Sequence, residues 1–308
     1  MIANSRNEKD ERSSDIDCSV IVLAWQDHQM TRQCVASLGT GFEIVVVDNG
    51  SDEPYSRELQ AVCAEYRAKY VRSDENLGFS GGMNLGLLAS TRSVVVFSNN
   101  DVTADPDTVA KLASLALRSG IGAVFPEILD RNGEVATAGG RFLTLSRSIS
   151  HAVGLSAVKA SRTSVTCNLD EAEWYAGPFV VMRRLLALSI GGVPSQSFMY
   201  AEDYRLCWQL KKLGLELVVP EGLQIVHVDD ATSSKVWSTD RIAEMQTTEL
   251  LRASVDFQRG LVRKRLLTVS YVFGTWIRHK ARRSSRTEAV LTGAMKVLRP
   301  ASAQSKRT

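Results

Sequence analysis

Five short stretches carry residue types that could do chemistry. Val47-Asp48-Asn49-Gly50-Ser51 sets an acid at the end of an apolar run and follows it at once with turn residues. In open α/β sheets ligands collect at that edge, where a carboxylate can accept hydrogen bonds from a nucleoside; a plain strand-to-turn signal has the same composition. Asn76-Leu77-Gly78-Phe79-Ser80-Gly81-Gly82-Met83-Asn84 places three glycines ahead of a helical pattern. Glycine lets backbone approach a ligand, and a helix N-terminus offers unpaired N–H groups to negative charge. The stretch is neither G-x-G-x-x-G nor the P-loop pattern. Ser98-Asn99-Asn100-Asp101 gathers a carboxylate and amide oxygens after an apolar run. That is a hard-oxygen set suited to Mg²⁺ or Mn²⁺, or alternatively an Asx turn before a helix. Phe198-Met199-Tyr200-Ala201-Glu202-Asp203-Tyr204 puts adjacent acids between aromatic residues and a helix. An apolar setting tunes a general base, and the helix dipole alone also favours acids there. His227 closes a β-like run, as a metal ligand or a satisfied core histidine.

These residues need elements to position them. Cys18–Ala24 and Glu43–Val47 are β-branched runs around a helical Met30–Leu38. Ser56–Tyr70 then predicts a helix, Tyr70 and Val71 a short strand, Gly82–Ser90 a helix and Ser93–Ser98 a fully apolar strand. Such alternation predicts a mostly parallel sheet covered by helices on both faces. Beyond a helix at Thr108–Leu117, a strand over Gly122–Leu129 and a turn at Asp130–Gly133 predict a mixed part. Ser148–Cys167 reads as a surface loop. Trp174–Met182, a helix over Tyr204–Leu213 and a strand over Leu215–Val219 complete a domain of residues 18–235, between a loose tail (1–17) and a helical basic extension (236–308).

The chain has 308 residues, 44% hydrophobic and 23% charged, with a net charge of +3, so it can bury a large core. The composition excludes a disordered, collagenous or disulfide-stapled class, and no apolar run reaches the length of a spanning helix. Five scattered cysteines without a C-x-x-C pair read as small buried hydrophobes. The first 17 residues lack an apolar signal-peptide core, so the expected location is the cytoplasm. The small net charge conceals an asymmetry. Arg252–Thr308 holds 14 Lys and Arg against 2 acids, a charge of +12, which leaves −9 for residues 1–251.

Taken in order, VVVDNGS, ENLGFSGGMNLGL, SNNDV, DRNGEVATAGGRF, EWYAGPFVVMRR, FMYAEDYRLCWQLKKLG and VPEGLQIVH resemble the α/β nucleotide-diphospho-sugar transferase (GT-A) fold. Within it they are similar to family 2 glycosyltransferases of the rhamnosyltransferase-like branch, over about residues 18–233. The resemblance implies that Asp48 contacts the nucleobase and that Asn76, Gly78, Gly81, Gly82 and Asn84 line the nucleotide and sugar, with Asn99 and Asn100 beside the donor. It implies that Asp101, the last acid of a D-x-D element, and His227 hold a divalent cation on the donor diphosphate. Asp203 of the Glu202-Asp203 pair matches the general base, and Trp174 and Gly177 the acceptor side. The implied reaction is an inverting, metal-dependent transfer from a nucleotide-diphospho-sugar, with dTDP-rhamnose a candidate donor, to a cell-surface glycan or lipid-linked acceptor. Two positions depart from the pattern: Asn99 replaces the first acid of D-x-D, and Arg205 stands where many relatives carry an acid.

Two other readings remain open. A sugar-phosphate nucleotidyltransferase would want a glycine-rich basic loop after the first strand, which Ala24–Met30 does not offer. A non-catalytic glycan or membrane adaptor would tolerate Asn99 and Arg205. In the tail, Leu261–Arg283 sets an apolar, aromatic stretch between basic clusters, which suits an anionic membrane surface at the cytoplasmic face or a helix packed on the domain. No nucleic-acid recognition motif accompanies the charge.

Overall fold

The computed structural model describes residues 17–154, 172–228, 237–282 and 284–298. The expected tail through residue 16, Cys167, and residues 229–236 of the expected boundary lie outside them. Two compact units interleave along the chain: the first is 1–133, 177–192 and 218–227, the second 134–176, 193–217 and 228–308.

The first unit begins as an alternation of strands β1 (Cys18–Ala24), β2 (Glu43–Asn49), β3 (Lys69–Ser73) and β4 (Val94–Asn99) with helices α1 (His28–Leu38), α2 (Glu53–Tyr66) and α3 (Gly78–Ala89). It continues through β5 (Val102–Ala104), α4 (Pro106–Ala116), β6 (Ile121–Val124) and β7 (Glu127–Leu129), and takes in β10 (Phe179–Arg183), α6 (Arg184–Ser189) and β12 (Gln224–His227). The seven-stranded sheet has the order β11-β6-β10-β4-β1-β2-β3, with β11 at Glu216–Val218. β1 pairs in parallel with β2 and β4, β2 with β3, and β10 runs antiparallel to β4 and β6. Val20, Ile21, Val22, Val45, Val46, Val95 and Val96 are fully buried, as strands covered on both faces require. Helix starts are set by local chemistry: Asp27 Oδ1 accepts from the Met30 N–H at 3.0 Å, and Asp105 caps α4 with Pro106 behind it.

Four expected elements are redrawn. Helix α2 stops at Tyr66 because Arg67 is left-handed (φ 55°), which frees Lys69–Ser73 to be a strand. Helix α3 starts at Gly78, four residues early, so the glycines expected before it lie inside it. A Cβ on Gly82 would sit 2.3 Å from Leu23 Cδ1, and one on Gly86 2.3 Å from Ile21 Cγ2, so the helix rests almost directly on β1. The strand expected over Gly122–Leu129 is two, in different sheets, parted at Pro126, which has no N–H to donate. Trp174–Met182 likewise divides into β9 (Trp174–Tyr175) and β10, broken at Gly177-Pro178.

The second unit holds β8 (Gly139–Gly140), α5 (Leu145–Ala152), β9, α7 (Glu202–Lys212), α8 (Thr239–Asp256), α9 (Leu261–Arg282) and α10 (Ser285–Leu298). Helix α5 occupies part of the expected 148–167 loop, started by the Thr144 hydroxyl accepting from the Arg147 N–H; residues 155–171 lie outside the described ones. Leu143, Leu251, Leu267, Tyr271 and Ala294 form its core, so the tail helices pack on residues far earlier in the chain. Cys18, Cys34, Cys63 and Cys207 are free and buried.

Candidate functional site

The carboxyl ends of β1, β2 and β3 are aligned by register: Ala24 pairs with Asp48, and Asp48 with Arg72. Asp48 is fully buried. Its Oδ1 accepts from the Ser51 N–H at 2.9 Å, and its Oδ2 from the Tyr70 hydroxyl at 2.6 Å and Arg72 Nη1 at 3.2 Å. Burial alone would push this carboxyl up, but the hydrogen bonds from Tyr70 and Ser51 outweigh it and hold the group below its ordinary value. Arg72 also reaches the Ser51 carbonyl at 3.1 Å, and the Gln26 N–H donates to Ser51 Oγ at 3.0 Å. The acid expected to touch a base is thus surrounded by its own chain's donors. What it presents outward is the half-exposed Arg72 it anchors.

The next residue, Asn49, holds the start of α3. Its Nδ2 donates to Asn76 Oδ1 (3.0 Å) and the Gly78 carbonyl (3.1 Å), while its Oδ1 accepts from the Leu77 N–H (3.1 Å). Asn76 Oδ1 also accepts from the Gly78 N–H. Asn76 and Gly78 therefore shape the helix start, and Gly81 and Gly82 face Leu77 and Leu23 inside the helix. Asn84 is approached closely by Gly192, where a Cβ would fall 2.2 Å from Asn84 Oδ1.

Across the sheet, β4 ends at Asn99, and the chain turns through Asn100 and Asp101 into β5. β5 pairs with β12 so that Val102 faces His227, which brings the histidine to Asp101: His227 Nε2 lies 3.1 Å from Asp101 Oδ1 and 3.5 Å from Asn99 Nδ2. Asp101 Oδ1 and Asn99 Oδ1 are buried, and the Asn99 oxygen makes no hydrogen bond. Asn100 instead turns to α1, donating to Thr31 Oγ1 at 3.2 Å. Gly177 precedes Pro178, whose carbonyl accepts from the Asn99 N–H at 2.8 Å.

In the second unit, Tyr200 (φ 69°) and Ala201 (φ 64°) are consecutive left-handed residues immediately before Glu202 and Asp203, which open α7. Such strain in residues with side chains persists only where packing over-determines it. Both acids are buried, and Asp203 Oδ1 accepts from the Tyr204 N–H at 2.7 Å. Tyr204 anchors the turn: its hydroxyl accepts from the Leu143 N–H and bonds Ser254 Oγ, each at 2.8 Å, and burial pushes its phenol up to about 12. Arg205 pairs with Asp256 at 2.7 Å. Trp174, expected on the acceptor side, is buried edge-on against Tyr204 with ring centres 5.4 Å apart.

Residues 19–162 match the model described as glycosyl transferase family 2. Over that stretch, just under half of the chain, the sequence is that of a family 2 glycosyltransferase. This glycosyltransferase is 23% identical over 269 residues to the low-salt glycan biosynthesis hexosyltransferase Agl10 of Haloferax volcanii, covering 85% of this chain and 83% of the relative. Among solved structures it is similar to a mannosyltransferase from Pyrobaculum calidifontis in complex with GDP-Man and Mn²⁺, with a TM-score of 0.60, 14% identity, and 94% and 88% of the two chains covered. It is also similar to GalNAc-T7 with UDP, GalNAc and Mn²⁺ (TM-score 0.58, 14% identity), matching 91% of this chain and about half, 54%, of that one. The structural likenesses identify the fold as GT-A, as its motifs suggested, and the family match marks the enzyme as a glycosyltransferase.

The transferase offers a divalent cation a small donor set. Among the described residues no three His, Cys, Asp or Glu side chains gather at one point, so the protein's share would be Asp101 and His227, with the Asn99 amide oxygen alongside. A buried carboxylate oxygen and an unsatisfied amide oxygen beside an imidazole fit a hard cation. Tyr70 and Arg72 lie in no motif; their signal is register, because β3 must face β2 before Arg72 can meet Asp48, whereas Asn49 lies inside the VVVDNGS stretch and shows its role only in its contacts to the start of α3.

Proposed function

We propose that the transferase moves a hexose, with inversion, from a nucleotide-diphospho-sugar to a hydroxyl of a glycan or lipid-linked acceptor, with a divalent cation on the donor diphosphate. The observation that carries this reading is the Asp101–His227 pair, 3.1 Å apart, beside Asn99, whose buried Oδ1 makes no hydrogen bond. A cation held there would neutralise charge on the departing diphosphate. Asp48 acts through the groups it orients, fixing Tyr70 and Arg72 at the strand edge on the base side of the donor. Asp203, flanked by Glu202, takes the acceptor hydroxyl's proton. The hydroxyl oxygen bonds to the anomeric carbon as the bond to the diphosphate oxygen breaks, and a single displacement of this kind inverts that carbon. The Mn²⁺ and nucleotides named for the two similar structures support the cation and the donor class. The likeness of the motif series to the rhamnosyltransferase-like branch makes dTDP-rhamnose the first donor to try.

Thermal unfolding with dTDP, UDP and GDP, each with and without Mn²⁺, tests the reading. A ligand at 100 times its Kd adds roughly 2.7 kcal/mol, a rise of about 5 °C or more at this size. The expected result is a Mn²⁺-dependent rise with one diphosphate that Asp101→Asn removes. A rise indifferent to metal and to Asp101→Asn would overturn the cation site.

A further inference from the structure

Helix α9 has two apolar faces. Leu267 and Tyr271 enter the second unit's core. On another side, Val262, Leu266, Val269, Phe273, Trp276 and Ile277 are 41–71% exposed. At helical spacing these six share an arc of about 100° and run for roughly 23 Å along the axis. A patch of this kind on a soluble protein marks a surface built to meet something.

Charge names the partner. Residues 261–282 contain no acid. Arg263 and Arg265 are exposed at the N-terminal end of the stripe, and the exposed Lys280 lies at its C-terminal end with its ammonium 5.9 Å from the Trp276 ring centre. The surrounding segment, Arg252–Thr308, carries 14 basic residues against 2 acids. Two such helices face to face would set cation against cation, whereas an anionic lipid surface offers hydrocarbon below and phosphate around it. No described helix is long and apolar enough to cross a membrane, so the geometry suits one lying in the interface plane. Trp276 suits that depth, its ring apolar and its N–H polar.

We propose that the exposed face of α9 docks the enzyme on an anionic lipid surface, with Phe273 and Trp276 at the headgroup–acyl boundary and Arg263, Arg265 and Lys280 against lipid phosphates. This inference stands apart from the transfer reaction. The test is co-sedimentation of the full chain with vesicles of phosphatidylcholine and phosphatidylglycerol in equal parts, and with phosphatidylcholine alone. Capture by the mixed vesicles, weakened by added salt, is the expected result. The pair Arg263→Gln and Arg265→Gln lowers partitioning about 25-fold, and Phe273→Glu at least about tenfold. These side chains are exposed, so the variants should keep the parent melting temperature; if Phe273→Glu does not, Leu266→Ser takes its place. Equal capture by neutral vesicles, or none by either kind, overturns the proposal. So does a concentration-dependent dimer abolished by Phe273→Glu without vesicle binding, which assigns the face to a second copy.

Discussion

Asp48 stays ionised without solvent because Tyr70, Ser51 and Arg72 replace the water it lost. Asp48→Asn removes the charge and leaves Arg72 without its partner, so urea denaturation should show a loss of about 2–3 kcal/mol. The pH dependence has a definite sign. The carboxyl is held below its ordinary value, so the stability it contributes is present above the unfolded value, about 3.9, and is lost as pH falls through the folded one. Melting temperatures below about pH 4 should therefore fall less steeply in Asp48→Asn; parallel slopes would refute the assignment. Backbone strain gives the opposite effect at Ala201, left-handed at φ 64°. Ala201→Gly should stabilise by about 0.5–1 kcal/mol and Ala201→Val should destabilise, both read from denaturation midpoints.

Helix α3 lies close to the sheet because Gly82 and Gly86 lack a Cβ. Gly86→Ala improves helix propensity, yet its new carbon would fall 2.3 Å from Ile21 Cγ2 and 2.9 Å from Val47 Cγ2. Overpacking should win, with a net cost of about 1–3 kcal/mol in chemical denaturation. Helices α5 and α9 meet at a buried imidazole: His151 stacks on Tyr271 with ring centres 5.0 Å apart, beside Arg278. Burial first, and then the Arg278 charge, lower the histidine to about 4. An unfolded histidine protonates near pH 6.5, so this contribution is complete above that pH and is lost between about 6.5 and 4, by up to about 3 kcal/mol. A His151→Gln variant should lose stability less steeply across that window. The strands and helices of the first hundred residues were legible because apolar period and turn residues agree there. The glycines are expected ahead of their helix because period alone cannot separate a glycine-rich first turn from what precedes it. The split at Pro126 follows a sheet change that no local pattern announces. At the site, Asp101 and His227 were legible as types but 126 positions apart, joined only by the β5–β12 pairing. Tyr70 and Arg72 needed the β2–β3 register.

The division of the chain into two units follows packing and not order in the sequence. Helices α8–α10 complete a core begun at Leu143, so a fragment ending at residue 235 should leave Leu143 and Leu145 uncovered. That fragment is expected to lose the tertiary packing of its 134–176 and 193–217 segments, seen as early proteolysis there. A native-like cleavage pattern in the fragment would show that the tail helices are dispensable to that unit. The sheet of the first unit has a similar dependence in time. On its way off the ribosome β4 finds β1 already made, but its other edge is closed only by β10, about 80 residues later. At roughly 5–20 residues per second, the Val94-Val95-Val96-Phe97 edge stays open for about 4–16 s in every round of synthesis. During that interval a nascent chain exposes an unpaired Val-Val-Val-Phe edge to its neighbours, so yield at high expression should depend on how quickly residues 179–183 arrive.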